Sequence, residues 1–279
     1  MALYCVISPG GAPGATTTAL GLALTWPREV VLAECDPAGR RVLPGFMAER
    51  LAQPPGPGLL GLAMVVQPDP TVAAATLNDY TIPLAEDGHA RLLHGIRDPR
   101  HLPKLTALWQ PLAETFAAAE VDVIADLGRV GGADTPFPLL AAADLIVMVL
   151  HRTLSQVDAA VPRLEVLRGA LDHQVPVALC VVDDGAYKTT DVQRVLFGLP
   201  VLGELPHAAA DARVLSDGAE PRLTFRTSLL VRGIDGLGRR MRKTVEERAF
   251  HSGARGGARG GARGGARGGV AVAPAGGGQ

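Results

Sequence analysis

Lysine is almost absent from this chain, with three lysines against 24 arginines in 279 residues. Arginine abundance is a compositional habit here and carries no nucleic-acid signal by itself. Cysteine is as sparse. Cys5, Cys35 and Cys180 are scattered, the first and last within apolar runs, which suits buried thiols in a reducing compartment and argues against a disulfide framework. No C-x-x-C and no paired-histidine spacing announces a metal, and no histidine lies in a nucleophile motif of the hydrolase type. No apolar run approaches the ~20 residues of a membrane span, and no basic segment precedes an apolar one at the N-terminus. The expectation is a cytoplasmic protein with no transmembrane segment.

What is present suffices for a large core. With 47% hydrophobic residues, the chain suits one domain, 1–250, followed by a tail, 251–279. The formal charge of −1 hides an asymmetry, because the four arginines after residue 250 leave the body with 23 basic against 28 acidic residues. From Ser252 the chain repeats Gly-Ala-Arg-Gly and then turns to alanine, valine and glycine. So little apolar surface cannot offset the entropy of ordering, and a disordered tail is expected. Arg255, Arg259, Arg263 and Arg267 have no aromatic residues among them for base stacking, leaving at most a weak polyanion contact.

Apolar runs of strand length recur at 3–7, 30–33, 91–95, 121–125, 145–150, 177–182 and 201–202, separated by segments long enough for helices. They are nearly continuous in hydrophobicity, as strands covered on both faces are. The fold class is therefore α/β: a doubly wound, mostly parallel sheet. A helix is predicted from Thr16 until Pro27 stops it. Near the end, Leu230, Ile234, Leu237, Met241 and Val245 form one apolar stripe with arginines mostly elsewhere, which predicts a last helix packed on the sheet.

Three blocks fall at predicted strand ends, where ligands of such sheets sit. After the first strand come Gly10, Gly11, Ala12, Pro13, Gly14, Ala15, Thr16 and Thr17, the outline of a phosphate-binding loop. In such a loop, backbone N–H groups and a helix N-terminus surround phosphate, a lysine neutralises it, and a hydroxyl holds Mg2+. Ala15 stands where that lysine belongs. After the second strand come Glu34-Cys35-Asp36-Pro37, with an acid able to orient water. After the 121–125 strand comes Asp126, the placement of an acid that bonds Mg2+ through water.

The combination resembles the ParA/MinD family of deviant-Walker P-loop ATPases. Residues 10–17 resemble the family's K-G-G-x-G-K-T-T, Glu34 to Pro37 its D-x-D-P, and 121–128 the strand ending in its Mg2+-site aspartate. Residues 144–150 and 201–206 resemble its later strands, so that the likeness spans about 2–245. It implies an ATP sandwich homodimer, with Thr16 and Asp126 at Mg2+, Asp36 at the attacking water, and Asp183 and Pro206 near the base. Two departures matter. The family's signature lysine falls at Gly10 and the general loop lysine at Ala15, which removes both cations from the transition state. Asp183 stands where relatives use asparagine, and a carboxylate cannot donate to an adenine nitrogen.

Three functional readings follow. The first is an ATP-binding positioning switch for chromosome partition, septum placement, or secretion or pilus assembly, with a protein partner from that system and weak or absent hydrolysis, a pseudo-ATPase akin to the CpaE/TadZ localisation proteins. The second is a scaffold that keeps the fold without nucleotide. The third is an ATPase in which Arg129 or Arg152, each following a predicted strand, replaces the lysine.

Overall fold

The computed structural model describes residues 1–10, 14–66, 69–171 and 175–260. Its strands are β1 (Leu3–Ser8), β2 (Val30–Glu34), β3 (Ile82–Pro83), β4 (Ala90–Leu93), β5 (Asp122–Arg129), β6 (Leu145–His151), β7 (Val177–Asp183) and β8 (Val201–Pro206). They form one sheet in the order β3-β4-β2-β5-β1-β6-β7-β8. Every pairing is parallel except that of β3 with β4. Seven strands lie on the apolar runs of the sequence. The eighth, β3, is two residues long and half proline, tolerable at a sheet edge and invisible to an apolar-run criterion.

The helices are α1 (Ala15–Leu24), α2 (Gly58–Ala63), α3 (Pro70–Ala75), α4 (Leu102–Thr106), α5 (Trp109–Ala118), α6 (Phe137–Ala142), α7 (Leu154–Ala170), α8 (Thr189–Val195), α9 (Ala209–Asp217) and α10 (Leu229–Gly260). Alternation along β1 shows why both sheet faces need cover. Leu3, Cys5 and Ile7 enter the core beneath α5, α6 and α7, whereas Tyr4 and Val6 enter the one beneath α1, α9 and α10. The apolar stripe near the C-terminus packs as expected, with Leu230, Ile234, Leu237 and Met241 buried. Helix α10 continues past residue 250, and residues 261–279 lie outside the described residues.

One charged group is built into the N-terminal edge of the sheet. The fully buried Asp122 accepts hydrogen bonds from the Ala2 backbone N–H (3.0 Å), Trp26 Nε1 (2.8 Å) and Arg28 Nε (2.6 Å). It thereby ties the start of β1 and the end of the first helical connection to β5. Asp122→Ala leaves buried donors unpaired, so a loss of about 3 kcal/mol is expected in urea unfolding. Arg28→Ala should cost less, about 1–2 kcal/mol, because the arginine is 43% exposed and the buried carboxylate keeps its other two donors.

Candidate functional site

The C-terminal ends of β1, β2, β5, β6 and β8 border a cleft of about 930 Å3, completed by α9 and the start of α1. That volume is of the size that holds a cofactor-sized molecule.

At one end, the chain leaves β1 and enters α1. Gly14 is the residue before the helix, left-handed at φ 88°, and no side chain caps the first turn, which also contains no acid. The first N–H groups of α1 therefore face the cleft without a side-chain acceptor, the polarity that favours an anion. Ala15 is 6% exposed, a buried methyl beside the cleft where a phosphate-binding lysine would project. Gly10, Thr16 and Thr17 also line the cleft, and Gln156 donates to the Gly10 carbonyl at 2.7 Å. Gly11, Ala12 and Pro13 lie outside the described residues. Arg129 passes close by, its Cδ 3.4 Å from where a Cβ on Gly10 would stand.

Next to this loop, three carboxyl groups from two strand ends crowd together. Asp126, expected to follow the strand, lies buried within β5, which runs on to Arg129; it sits beside the Thr16 hydroxyl and accepts from the Gly128 N–H at 3.0 Å. Burial pushes its carboxyl up to about 7 against the pull of those two donors, and the neighbouring charges of Asp36 and Glu34 push the same way. The Asp36 carboxyl is also raised, first by burial, and accepts from the Ala38 N–H at 2.8 Å. Glu34 has a different role. It accepts from the backbone N–H groups of Arg41 (2.6 Å), Val42 (2.7 Å) and Gly95 (3.2 Å), clamping two loops, while burial raises its pKa. Thr16, Asp36 and Asp126 are thus brought together, and Glu34 stands behind them as a bracket.

Gly128 makes that gathering possible. Strand β5 carries an extra residue here, since Val6 pairs with Asp126 and Ile7 with Gly128, leaving Leu127 bulged. Gly128 has φ 58°, and a Cβ on it would lie 2.1 Å from Asp36 Oδ2. The sequence showed an Asp-Leu-Gly after an apolar run, but not that the glycine is the seat of another strand's carboxylate.

At the opposite end of the cleft, Pro206 lines the wall. Asp183 pairs with Pro206 in the register of β7 and β8, but its carboxylate is bound to Arg152 and does not line the cleft. This ion pair also occupies the Arg152 guanidinium, whereas Arg129, Arg40 and Arg41 do line the cleft. Arg40 and Arg41 follow the Asp36 turn, and that position was the one signal that could have found them. Magnesium fits the oxygen donors of Thr16 and Asp126, since hard cations prefer hydroxyl, carboxylate and water. A nucleotide fits the open helix end and the cleft volume.

No family model matches the chain, and no curated protein matches its sequence. Solved structures match its fold over most of its length. A ParA family ATPase from Chlorobium tepidum is 12% identical, with 85% of this chain and 97% of that one covered, at a TM-score of 0.64. MinD in the MinC:MinD cell division complex of Aquifex aeolicus is 14% identical, with 87% and 96% covered, at 0.65. The septum site-determining protein MinD of Pyrococcus horikoshii, complexed with Mg-ADP, is 17% identical, with 85% and 94% covered, at 0.61. At such identities the likeness is one of fold, and the fold is that of ParA and MinD ATPases. Among the described residues no helix is long and apolar enough to cross a membrane.

Gly128→Ala combines a left-handed backbone with a clash at the Asp36 carboxylate, and is expected to cost about 1–3 kcal/mol in chemical denaturation. Asp126 makes stability depend on pH. Its folded pKa stands above the ~3.9 of an unfolded aspartate, so folding favours the protonated form; that contribution is full below pH ~4 and is lost as pH rises through about 7. In metal-free buffer Asp126→Asn should gain on the wild type from pH 4 to 8, level off above about 7, and end ahead by at most about 4 kcal/mol.

Proposed function

We propose that this protein is a ParA/MinD-like ATP-binding switch that positions or assembles a cellular structure, with hydrolysis weak or absent. The observation that carries the reading is the gathering of the Thr16 hydroxyl and the Asp126 and Asp36 carboxyl groups at the open N-terminus of α1, an oxygen donor set of the kind that hard cations prefer. Thr16 and Asp126 would hold Mg2+, whose charge would offset that of bound phosphates. Asp36 would orient a water, Gly10 to Thr17 would surround the phosphates, and Pro206 would border the base. Asp183, held by Arg152, would act on the base side only as part of that ion pair. Fold neighbours include a MinD with Mg-ADP and a MinD in complex with MinC, which supports nucleotide and protein ligands of the same kind here. A homodimer, and a protein partner from a partition, division or secretion system, follow from the same likeness. The arginine-containing tail would add no more than weak polyanion contact.

The absence of lysine is why slow turnover is proposed. A buried methyl at Ala15 cannot stabilise the charge that develops on a transferring phosphoryl group. One observation favours a second reading, an ATPase rewired around arginine: Arg129 runs past Gly10, the position of the family's signature lysine.

Calorimetry with Mg-ATP and Mg-ADP on the full chain tests the switch. Micromolar binding is expected, lost in Gly14→Val, whose β-branched side chain is a poor occupant of φ 88°. Ala15→Lys should tighten binding at least ~10-fold, the equivalent of about 1.4 kcal/mol. Absence of binding at millimolar nucleotide in both the wild type and Ala15→Lys would leave a scaffold. Phosphate release that Arg129→Ala abolishes would instead establish the rewired enzyme.

A further inference from the structure

The far wall of the cleft carries a second cluster that the nucleotide reading does not use. His151 ends β6, Asp184 follows β7 and His207 follows β8. Because β6, β7 and β8 are adjacent and in register, with His151 opposite Val182 and Asp183 opposite Pro206, the three side chains meet although the sequence separates them widely. Asp184 Oδ2 lies 2.7 Å from His151 Nδ1 and 3.1 Å from His207 Nδ1, and one donor atom from each residue lies within 4.8 Å of the other two. Both histidines line the cleft.

We infer that His151, Asp184 and His207 form a binding site for a divalent transition-metal ion of the zinc class, with a coordination position open to the cleft. The geometry of His151 separates this from an ordinary histidine–carboxylate pair. Its Nδ1 is buried and makes no hydrogen bond, even though the Asp184 oxygen is 2.7 Å away. Nitrogen and oxygen are close without being aligned for donation, an arrangement compatible with two ligands of one ion. Around a tetrahedral zinc with bonds of about 2.0–2.1 Å, neighbouring ligand atoms stand about 3.3 Å apart, so a small outward shift admits the ion.

The chain turns tightly behind two of the three ligands. The Asp184 N–H donates to the Val182 carbonyl at 3.1 Å, and the Ala208 N–H donates to the Pro206 carbonyl at 2.9 Å, turning the chain at both strand ends. Gly185 lies so close to the next strand end that a Cβ on it would stand 1.8 Å from the Arg152 carbonyl oxygen. The donor set selects the metal. Two imidazoles and one carboxylate suit zinc, cobalt and nickel and are poor ligands for magnesium, which the Thr16–Asp126 end of the cleft suits. Three protein ligands leave a fourth position, as in zinc sites that take water or a ligand atom. One carboxylate against two charges on the ion also leaves the cleft wall net positive. This site stands whether or not the chain binds nucleotide.

The test uses the tag-free full chain, stripped with chelator and titrated with Co2+ and then Zn2+. Expected are one ion per chain, a d–d absorption of nitrogen and oxygen coordination, displacement by Zn2+, and a zinc-dependent rise in Tm. His207→Ala, at a half-exposed position, and the isosteric Asp184→Asn should each weaken binding by more than ~100-fold, beyond the 10–100-fold that loss of a supporting second-shell partner costs. Both should match the wild type in metal-free circular dichroism. His89→Ala, removing an imidazole paired with Asp87 elsewhere, should bind as the wild type does. Stoichiometry well below one, binding unchanged in His207→Ala and Asp184→Asn, or a thiolate charge-transfer band from Cys5, Cys35 or Cys180 would overturn the assignment.

Discussion

The junction where β1, β2 and β5 end has to bury negative charge without driving its carriers apart, and the arrangement of the cleft depends on how that is achieved. Glu34 is retained by three backbone N–H donors, Asp126 by the Gly128 N–H and the Thr16 hydroxyl, and Asp36 by its own turn. Glu34 joins the 41–42 and Gly95 segments, whereas Asp36 and Asp126 each take a donor two residues on, so the carboxyl groups fasten the loops as much as the loops position them. The bulge at Leu127 and the bare Cα of Gly128 provide the space. Raised pKa values are the electrostatic residue of this arrangement, and a site of this kind gains when a cation arrives.

That junction and the histidine cluster lie on one cleft but have opposite chemistry. Hard oxygen donors gather beside the helix N-terminus, and imidazoles gather across β6 to β8. The cations of the cleft are arginines, with Arg40, Arg41 and Arg129 along its border, and the first helical position beside it carries only the methyl group of Ala15. Guanidinium groups at the border can attract an anion, but they lack the fixed position of a lysine rooted in the first turn of the helix.

Much of the fold was legible in the sequence because its strands are buried on both faces, so a run such as Leu145 to Leu150 needs no partner to be recognised. The last helix was legible by its stripe. The two-residue β3 left no comparable pattern, and neither did the bulge in β5, which changes pairing without changing composition. At the site, the strand, loop and helix around Thr16 were legible in their local order, whereas Asp126, expected just after a strand, lies inside β5. Asp183 shows the limit of that logic: the resemblance suggested it for the base, but nothing local announced its ion pair with Arg152, 31 residues away. Glu34 was grouped with Asp36 by adjacency, although Glu34 is the last residue of β2, Asp36 lies in the turn beyond it, and the two have different partners.

By itself the sequence determined the layered α/β architecture and the glycine-containing loop between β1 and α1, with alanine at position 15, because each is written in near neighbours and in a period of two or 3.6. Only the tertiary structure decided that Gly128 seats the Asp36 carboxylate, that Arg152 holds Asp183, and that His151, Asp184 and His207 converge. Those contacts depend on strand order and register, which are set by how whole strands pack and not by any local pattern of residues.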